Sequence, residues 1–297
     1  MLLSSCMTNP VDRKPQTDDD WTVHALNIHG LFFERACQRI IEESATWKIE
    51  AVEYPVMYRN QETALDIRAD AKVNGRDTAL LIECKKNNPD FTQWIFFPKR
   101  VEQGFFLIPA VSPGDGKYLE RVPLSQDLKI VDAGRETKAS YSSKSDDRQK
   151  TKTSNSAISD AARQISIATH SLWTSEQAAS QRKYPHSFIL PVIVTTANLF
   201  ICEFESKEIN ILTGEIPFDQ AKLLPVERLV YEYAMPASLQ VEFQSGPAQG
   251  LRVDCLTRQH IIVMNSSSFQ DFLNVGVSEL MKFPSTHPSL EPRIRIA

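Results

Sequence analysis

The chain has 297 residues, 42% apolar and 24% charged, the make-up of a folded globular protein with a sizeable core. A formal net charge of −4 excludes a global basic field, so contact with nucleic acid has to come from a local patch, a metal or an oligomer. No apolar run reaches membrane length, and five cysteines at positions 6, 37, 84, 202 and 255, without a C-x-x-C pair, read as free thiols in a cytoplasmic protein, not a disulfide framework or zinc site.

Residues 1–20 are polar, hold two prolines and end in Asp18-Asp19-Asp20, which predicts a flexible leader. The opening MLLSSCM lacks the basic start and apolar stretch that a lipoprotein cleavage box ahead of Cys6 would need. From Gly30 onward, Phe33, Ala36, Cys37, Ile40 and Ile41 recur at the spacing of a buried helical face. Ile49 to Tyr58 is strand-like. Leu65, Ile67, Ala69, Ala71 and Val73 then alternate with Asp66, Arg68 and Asp70, the period of a strand with one buried face. Asn74-Gly75 is a hairpin turn signal. The continuous apolar run Ala79-Leu80-Leu81-Ile82 predicts a central strand that delivers Glu83-Cys84-Lys85-Lys86.

Between 87 and 155 the pieces Trp94 to Phe97, Phe105 to Ile108 and Leu128 to Val131 have strand character. Ser140 to Ser156 is nearly free of apolar residues and predicts a mobile loop carrying Lys144, Arg148, Lys150 and Lys152. That run is a solvated loop or a contact to a nucleic-acid backbone. A helix is expected from about Ser159, as N-cap, to about Trp173. Strands follow at Ser187 to Thr195 and Leu199 to Glu205, a hairpin at Ile209 to Ile216 and a strand at His260 to Met264. Ser266-Ser267-Ser268 caps a helix reaching about Met281. His170 and Trp173 read as structural. No internal repeat and no G-x-x-x-x-G-K-[ST] loop is present.

The hairpin brings Asp66 to the strand beside Glu83. Glu83 and Lys85, two apart, project from one face while Cys84 projects from the other. Two carboxylates are hard oxygen ligands suited to Mg²⁺ or Mn²⁺, and a lysine beside them can orient a water or steady an anionic transition state. Glu-x-Lys alone is common as a solvated ion pair. It becomes informative here because an apolar strand delivers it and an Asp-bearing strand precedes it across an Asn-Gly turn. Asp70, on the same strand face as Asp66, is the local rival.

Leu65-Asp66-Ile67, the hairpin, Leu80-Leu81-Ile82-Glu83-Cys84-Lys85 and the leading helix Gly30-Leu31-Phe32-Phe33-Glu34 together resemble the PD-(D/E)XK, or restriction-endonuclease-like, nuclease superfamily. The resemblance covers residues 28–86 well and 157–205 loosely. It implies an α/β fold with a mixed central β-sheet flanked by helices. A nuclease-like core over 21–205 would carry an insertion at 87–155, and an α/β extension over 206–297 would pack on it. It also implies Mg²⁺- or Mn²⁺-dependent hydrolysis of phosphodiester bonds, DNA ahead of RNA, in a setting such as bacterial restriction or phage defence. Such an activity needs restraint by a homo-oligomer or a regulatory partner protein. Asp66 and Glu83 would hold the metal, with Lys85 assisting. Glu34 and Gln164, the latter in Ala161-Ala162-Arg163-Gln164, would take auxiliary places. The family's proline before the Asp is missing, and the insertion after Lys85 is longer than usual, which suggests a specificity element of its own. The rival readings are a catalytically inactive nuclease-fold subunit for nucleic-acid binding or assembly, and an enzyme of another class with an accidental Glu-x-Lys. The complete Asp, Glu and Lys set speaks against the first.

Overall fold

The computed structural model describes residues 17–87, 92–98, 105–112, 116–124, 130–132, 136–140, 153–154, 156–178, 188–240, 257–282 and 294–296. The flexible leader expected over 1–20 overlaps helix α1 (Asp18–His29), whose first turn is Asp18, Asp19 and Asp20, while residues 1–16 lie outside the described residues. Thr17 accepts from the Asp20 N–H at 3.1 Å and Asp20 accepts from the Thr17 N–H at 3.1 Å. This reciprocal cap, with three carboxylates at the positive end of the helix, favours helix over coil. Gly30, at φ +84°, ends α1 and starts helix α2 (Leu31–Glu42). A Cβ there would stand 3.3 Å from the Lys86 Cβ, so glycine serves both the left-handed turn and the close approach.

Strands β1 (Lys48–Tyr58), β2 (Gln61–Val73) and β3 (Arg76–Lys85) form an antiparallel meander. Its two turns, Arg59-Asn60 and Asn74-Gly75, hold all four residues at positive φ, the conformation of two-residue turns that match strand twist. Helix α3 (Ser156–Ala178) leads to β10 (Phe188–Thr195), which lies parallel to β3 from Phe188↔Thr78 to Thr195↔Lys85. Next come β14 (Arg258–Asn265), parallel to β10, and β13 (Arg228–Ala234), antiparallel to β14. With β5 (Phe105–Ser112), β6 (Gly116–Pro123), β7 (Ile130–Asp132) and β15 (Ile294–Ile296) these make a mixed sheet of ten strands among the described residues. A second sheet orders β12 (Ala221–Val226), β11 (Asn198–Phe204), β4 (Gln93–Phe97), β8 (Glu136–Ser140) and β9 (Thr153–Ser154).

Alternate residues of the large sheet feed two cores. Leu81, Ile189, Ile193, Ile261 and Val263 pack with Ile158, Ala161, Ala162 and Ile165 of α3 and with Trp94, Phe96, Leu199 and Ile201 of the second sheet. On the other face Leu80, Ile82, Leu190, Val192 and Ile262 pack with Cys37 and Ile41 of α2 and with Phe269, Phe272 and Leu280. The architecture is α/β, a mixed sheet with helices on both faces, and among the described residues no helix is long and apolar enough to cross a membrane.

Several expected elements differ. The helix expected from Ser159 to Trp173 begins at Ser156 and runs to Ala178, so Ser159 sits inside its first turn instead of capping it. Of the expected loop, 141–152 lies outside the described residues, while Thr153–Ser154 pairs with β8. Ile209 to Ile216 is not a hairpin of strands. It is a turn closed by Asn210, whose N–H donates to the Glu215 carbonyl at 2.8 Å and whose side-chain oxygen accepts from the Leu212 N–H at 2.9 Å. Ile211 and Leu212 are both 92% exposed, so no buried face rewards strand pairing there. The helix expected after Ser266 starts as a 3₁₀ turn and passes through a π turn at Phe272–Gly276 before ending at Leu280.

Candidate active site

Pairing between β2 and β3 runs from Val73↔Arg76 to Ile67↔Ile82 and stops there. Two residues past Ile82, the backbone N–H of Cys84 needs an acceptor. The carboxylate of Asp66 supplies it, Oδ2 accepting at 2.6 Å. A buried N–H left without an acceptor is costly, so this bond holds the Asp66 side chain at the end of the hairpin. Glu83 is fully buried on the α3 face of the sheet. The Lys85 ammonium donates to Glu83 Oε1 at 2.6 Å and to Gln164 Oε1 of α3 at 2.9 Å. Glu83 Oε2 is buried and has no hydrogen-bond partner among the described residues.

Burial raises the Glu83 carboxyl to about pH 8, with the charges of Asp66 and Glu34 adding to it and Lys85 offsetting part. Asp66 is likewise pushed up, first by burial and last by the charge of Glu53, against the pull of the Cys84 N–H and Lys85. Glu34 is raised by burial, then by Asp66 and Glu53, with Arg35 and Gln38 opposing. Four carboxylates therefore act on one another at this strand end, with Lys85 the cation between strand and helix.

Two of the residues involved were not singled out from sequence. Gln38, buried on α2, donates to Glu34 Oε1 at 3.0 Å and accepts from Arg35 at 2.7 Å, which fixes how Glu34 leans. Its i+4 spacing from Glu34 was the available signal. Glu53 lies on β1 between the pairs Val52↔Ile67 and Tyr54↔Leu65, opposite Asp66, and has φ +47°. A non-glycine residue in that conformation mid-strand is strained, and nothing in the local sequence announces it.

Asp70, the rival to Asp66, sits opposite Ala79 and receives both Arg68 donors, at 3.0 and 3.2 Å. It belongs to a paired site further down the hairpin. His170 Nε2 lies 3.1 Å from Met235 Sδ, and Trp173 donates to the Ala110 carbonyl at 3.0 Å. Lys144, Arg148, Lys150 and Lys152 lie outside the described residues.

No protein-family model, no curated protein and no solved structure matches this chain. The chemistry of the cluster is the ground for reading it. Among the described residues no three His, Cys, Asp or Glu side chains group closely enough to cage a metal ion. The donor set at the strand end is two carboxylates, Asp66 and Glu83. That suits Mg²⁺ or Mn²⁺, because a small hard cation keeps several of its waters and takes one or two protein carboxylates. The unpartnered Glu83 oxygen and the raised carboxyl groups are what such a cation would relieve.

Proposed function

We infer that this chain is a divalent-cation-dependent nuclease of the PD-(D/E)XK kind that hydrolyses phosphodiester bonds in nucleic acid, DNA ahead of RNA. The observation that carries the reading is the meeting of Asp66, Glu83, Lys85 and Gln164 at one strand end, with a buried Glu83 oxygen left for a cation. The helix, the Asp-bearing strand, the glycine hairpin and the Glu-x-Lys strand follow in the order that resembles that superfamily.

Asp66 and Glu83 would hold Mg²⁺ or Mn²⁺, and the bound ion supplies Lewis acidity toward phosphate and water. Glu83, whose carboxyl is protonated below about pH 8 in the metal-free chain, would have to give up that proton to hold the cation. Lys85 commits two donors to Glu83 and Gln164, which aims its third N–H at an incoming water or phosphate oxygen. Gln164 holds the ammonium over the strand end. Glu34, leaned by Gln38, adds negative charge at the rim.

The test is cleavage of plasmid, single-stranded DNA and RNA by the pure protein with Mg²⁺, Mn²⁺ or EDTA, beside Lys85→Ala. Cleavage that needs the cation and is lost in the variant supports the reading. No cleavage of any substrate, with no cation bound in a calorimetric titration, overturns it. Nucleic-acid binding without cleavage identifies a catalytically inactive nuclease fold.

A further inference from the structure

The second sheet ends on β12, which among the described residues pairs with β11 alone, so one row of its backbone N–H and C=O groups faces away from the fold. None of its six residues is buried. Leu223 and Leu224 are neighbours and project from opposite faces of the strand, yet they are 45% and 40% exposed. Both faces and the outer edge of β12 are therefore open. The segment leading into it is apolar and exposed as well. Ile209, Ile211 and Leu212 stand on the turn closed by Asn210, whose carbonyl accepts from the Gly214 N–H at 2.7 Å. Phe218, in the 3₁₀ turn (Phe218–Gln220) that runs into β12, is fully exposed. At roughly 150–200 Å² for a bare large side chain, these six residues offer on the order of 700 Å² of apolar surface. The largest such patch on an ordinary monomer is about 300–600 Å².

We propose that β12 and the segment 209–218 form the interface of a symmetric dimer, in which a second copy of this chain lays its own β12 antiparallel along this one. An open strand edge is completed by another strand, and an identical edge meets it about a two-fold axis, where one patch serves both partners. Pairing joins the second sheets of the two copies and covers the exposed edge of each. Each copy brings an apolar area close to the ~800 Å² that one partner gives to a stable interface. The charges around the patch are of both signs, Lys207 and Lys222 against Glu208, Glu215 and Asp219, so two copies set unlike charges together at the rim. The same balance, net acidic and without arginine, is the wrong one for a nucleic-acid backbone or an anionic membrane surface.

This interface stands independently of the nuclease reading. The full-length protein is followed by sedimentation equilibrium over a concentration series, beside Leu212→Glu, Phe218→Glu and, as a control, Met57→Glu on β1, an exposed apolar residue at the edge of the large sheet. All three residues are exposed, so far-ultraviolet circular dichroism should match the parent in each variant. The parent and Met57→Glu are expected to dimerise, and Leu212→Glu and Phe218→Glu to do so about a hundredfold more weakly, as for a charge placed at an interface hot spot. Amide hydrogen exchange at 221–224 and 226, Pro225 having no N–H, should slow in the parent as concentration rises and far less in Phe218→Glu. A parent that stays monomeric up to its solubility limit overturns the proposal. So does a dimer that survives both glutamates, or one whose β12 amides exchange at a rate independent of concentration. A monomeric parent that binds phosphatidylcholine–phosphatidylserine vesicles, with binding lost in Phe218→Glu, assigns the patch to a membrane surface and likewise overturns it.

Discussion

Among the described residues, two carboxylates are buried in the large sheet, and their surroundings differ. Glu232 on β13 is 2% exposed and both its oxygens have partners, His260 Nε2 at 3.1 Å and Arg258 at 3.5 Å. The Leu107 N–H, at 3.4 Å, points at His260 Nδ1, which leaves the ring proton on the nitrogen facing Glu232. Glu83 on β3 is more deeply buried, yet one of its oxygens has no hydrogen-bond partner among the described residues and two further carboxylates press on it. A carboxylate whose partners are all supplied by the protein closes a structural network. One left short of positive charge, beside a second carboxylate and a lysine, is where the proposed cation would bind.

Substitutions should separate these two sites. Lys85→Ala is expected to lower cation-dependent cleavage by about 10²- to 10³-fold, the usual loss when one preorganised electrostatic partner is removed. Its far-ultraviolet circular dichroism and urea midpoint should stay near those of the parent. Glu232→Ala should do the opposite. It leaves His260 and Arg258 buried without their anion and is expected to cost about 3 kcal/mol in urea denaturation, with cleavage per folded molecule unchanged. A Glu232 variant that folds normally but no longer cleaves would erase the distinction.

The pH dependence sharpens it further. The Glu83 carboxyl is raised from 4.5 to about 8 in the folded chain, so the folded state holds a proton that the unfolded state releases between those values. The contribution of Glu83 to stability is therefore full below about pH 4.5 and is lost as pH rises through about 8. In EDTA the melting temperature of the parent should fall between pH 6 and 9 relative to Glu83→Gln, and Mg²⁺ should restore it in the parent alone. Parallel melting curves for the two proteins across that range would refute the assignment. The smallest effects should lie along β2. Asp66→Asn keeps an acceptor for the Cys84 N–H and should weaken Mn²⁺ binding about tenfold in calorimetry with little change in stability. Asp70→Asn removes the Arg68 pair and should alter stability by about 1 kcal/mol or less, leaving the Mn²⁺ isotherm unchanged.

Local rules read the hairpin well. The alternation through Leu65, Ile67 and Ala69 and the Asn74-Gly75 turn set the register that leaves Asp66 one step past the last β2–β3 pair. The same rules failed where burial is decided elsewhere. Asp18 to Asp20 look like a polar leader until Thr17 is seen capping a helix with them. Ile209 to Ile216 carries a turn signal and apolar residues, but among the described residues no neighbour buries Ile211 and Leu212. Trp94 to Phe97 and Leu199 to Glu205 read correctly as strands, yet their place in a second sheet depends on long-range pairing such as Leu199↔Trp94.

From the sequence alone it followed that Glu83 and Lys85 share a face and that Cys84 leaves by the other, because the period of a strand is a local property of the backbone. Tertiary structure alone decided that Gln164, 79 residues away, meets the Lys85 ammonium, that Asp66 and not Asp70 accompanies Glu83, and that Glu53 and Gln38 act on the cluster. It also decided that Glu83 is buried with an unpartnered oxygen. Desolvation and charge coupling depend on what packs around a group, and residues far apart in the chain do that packing.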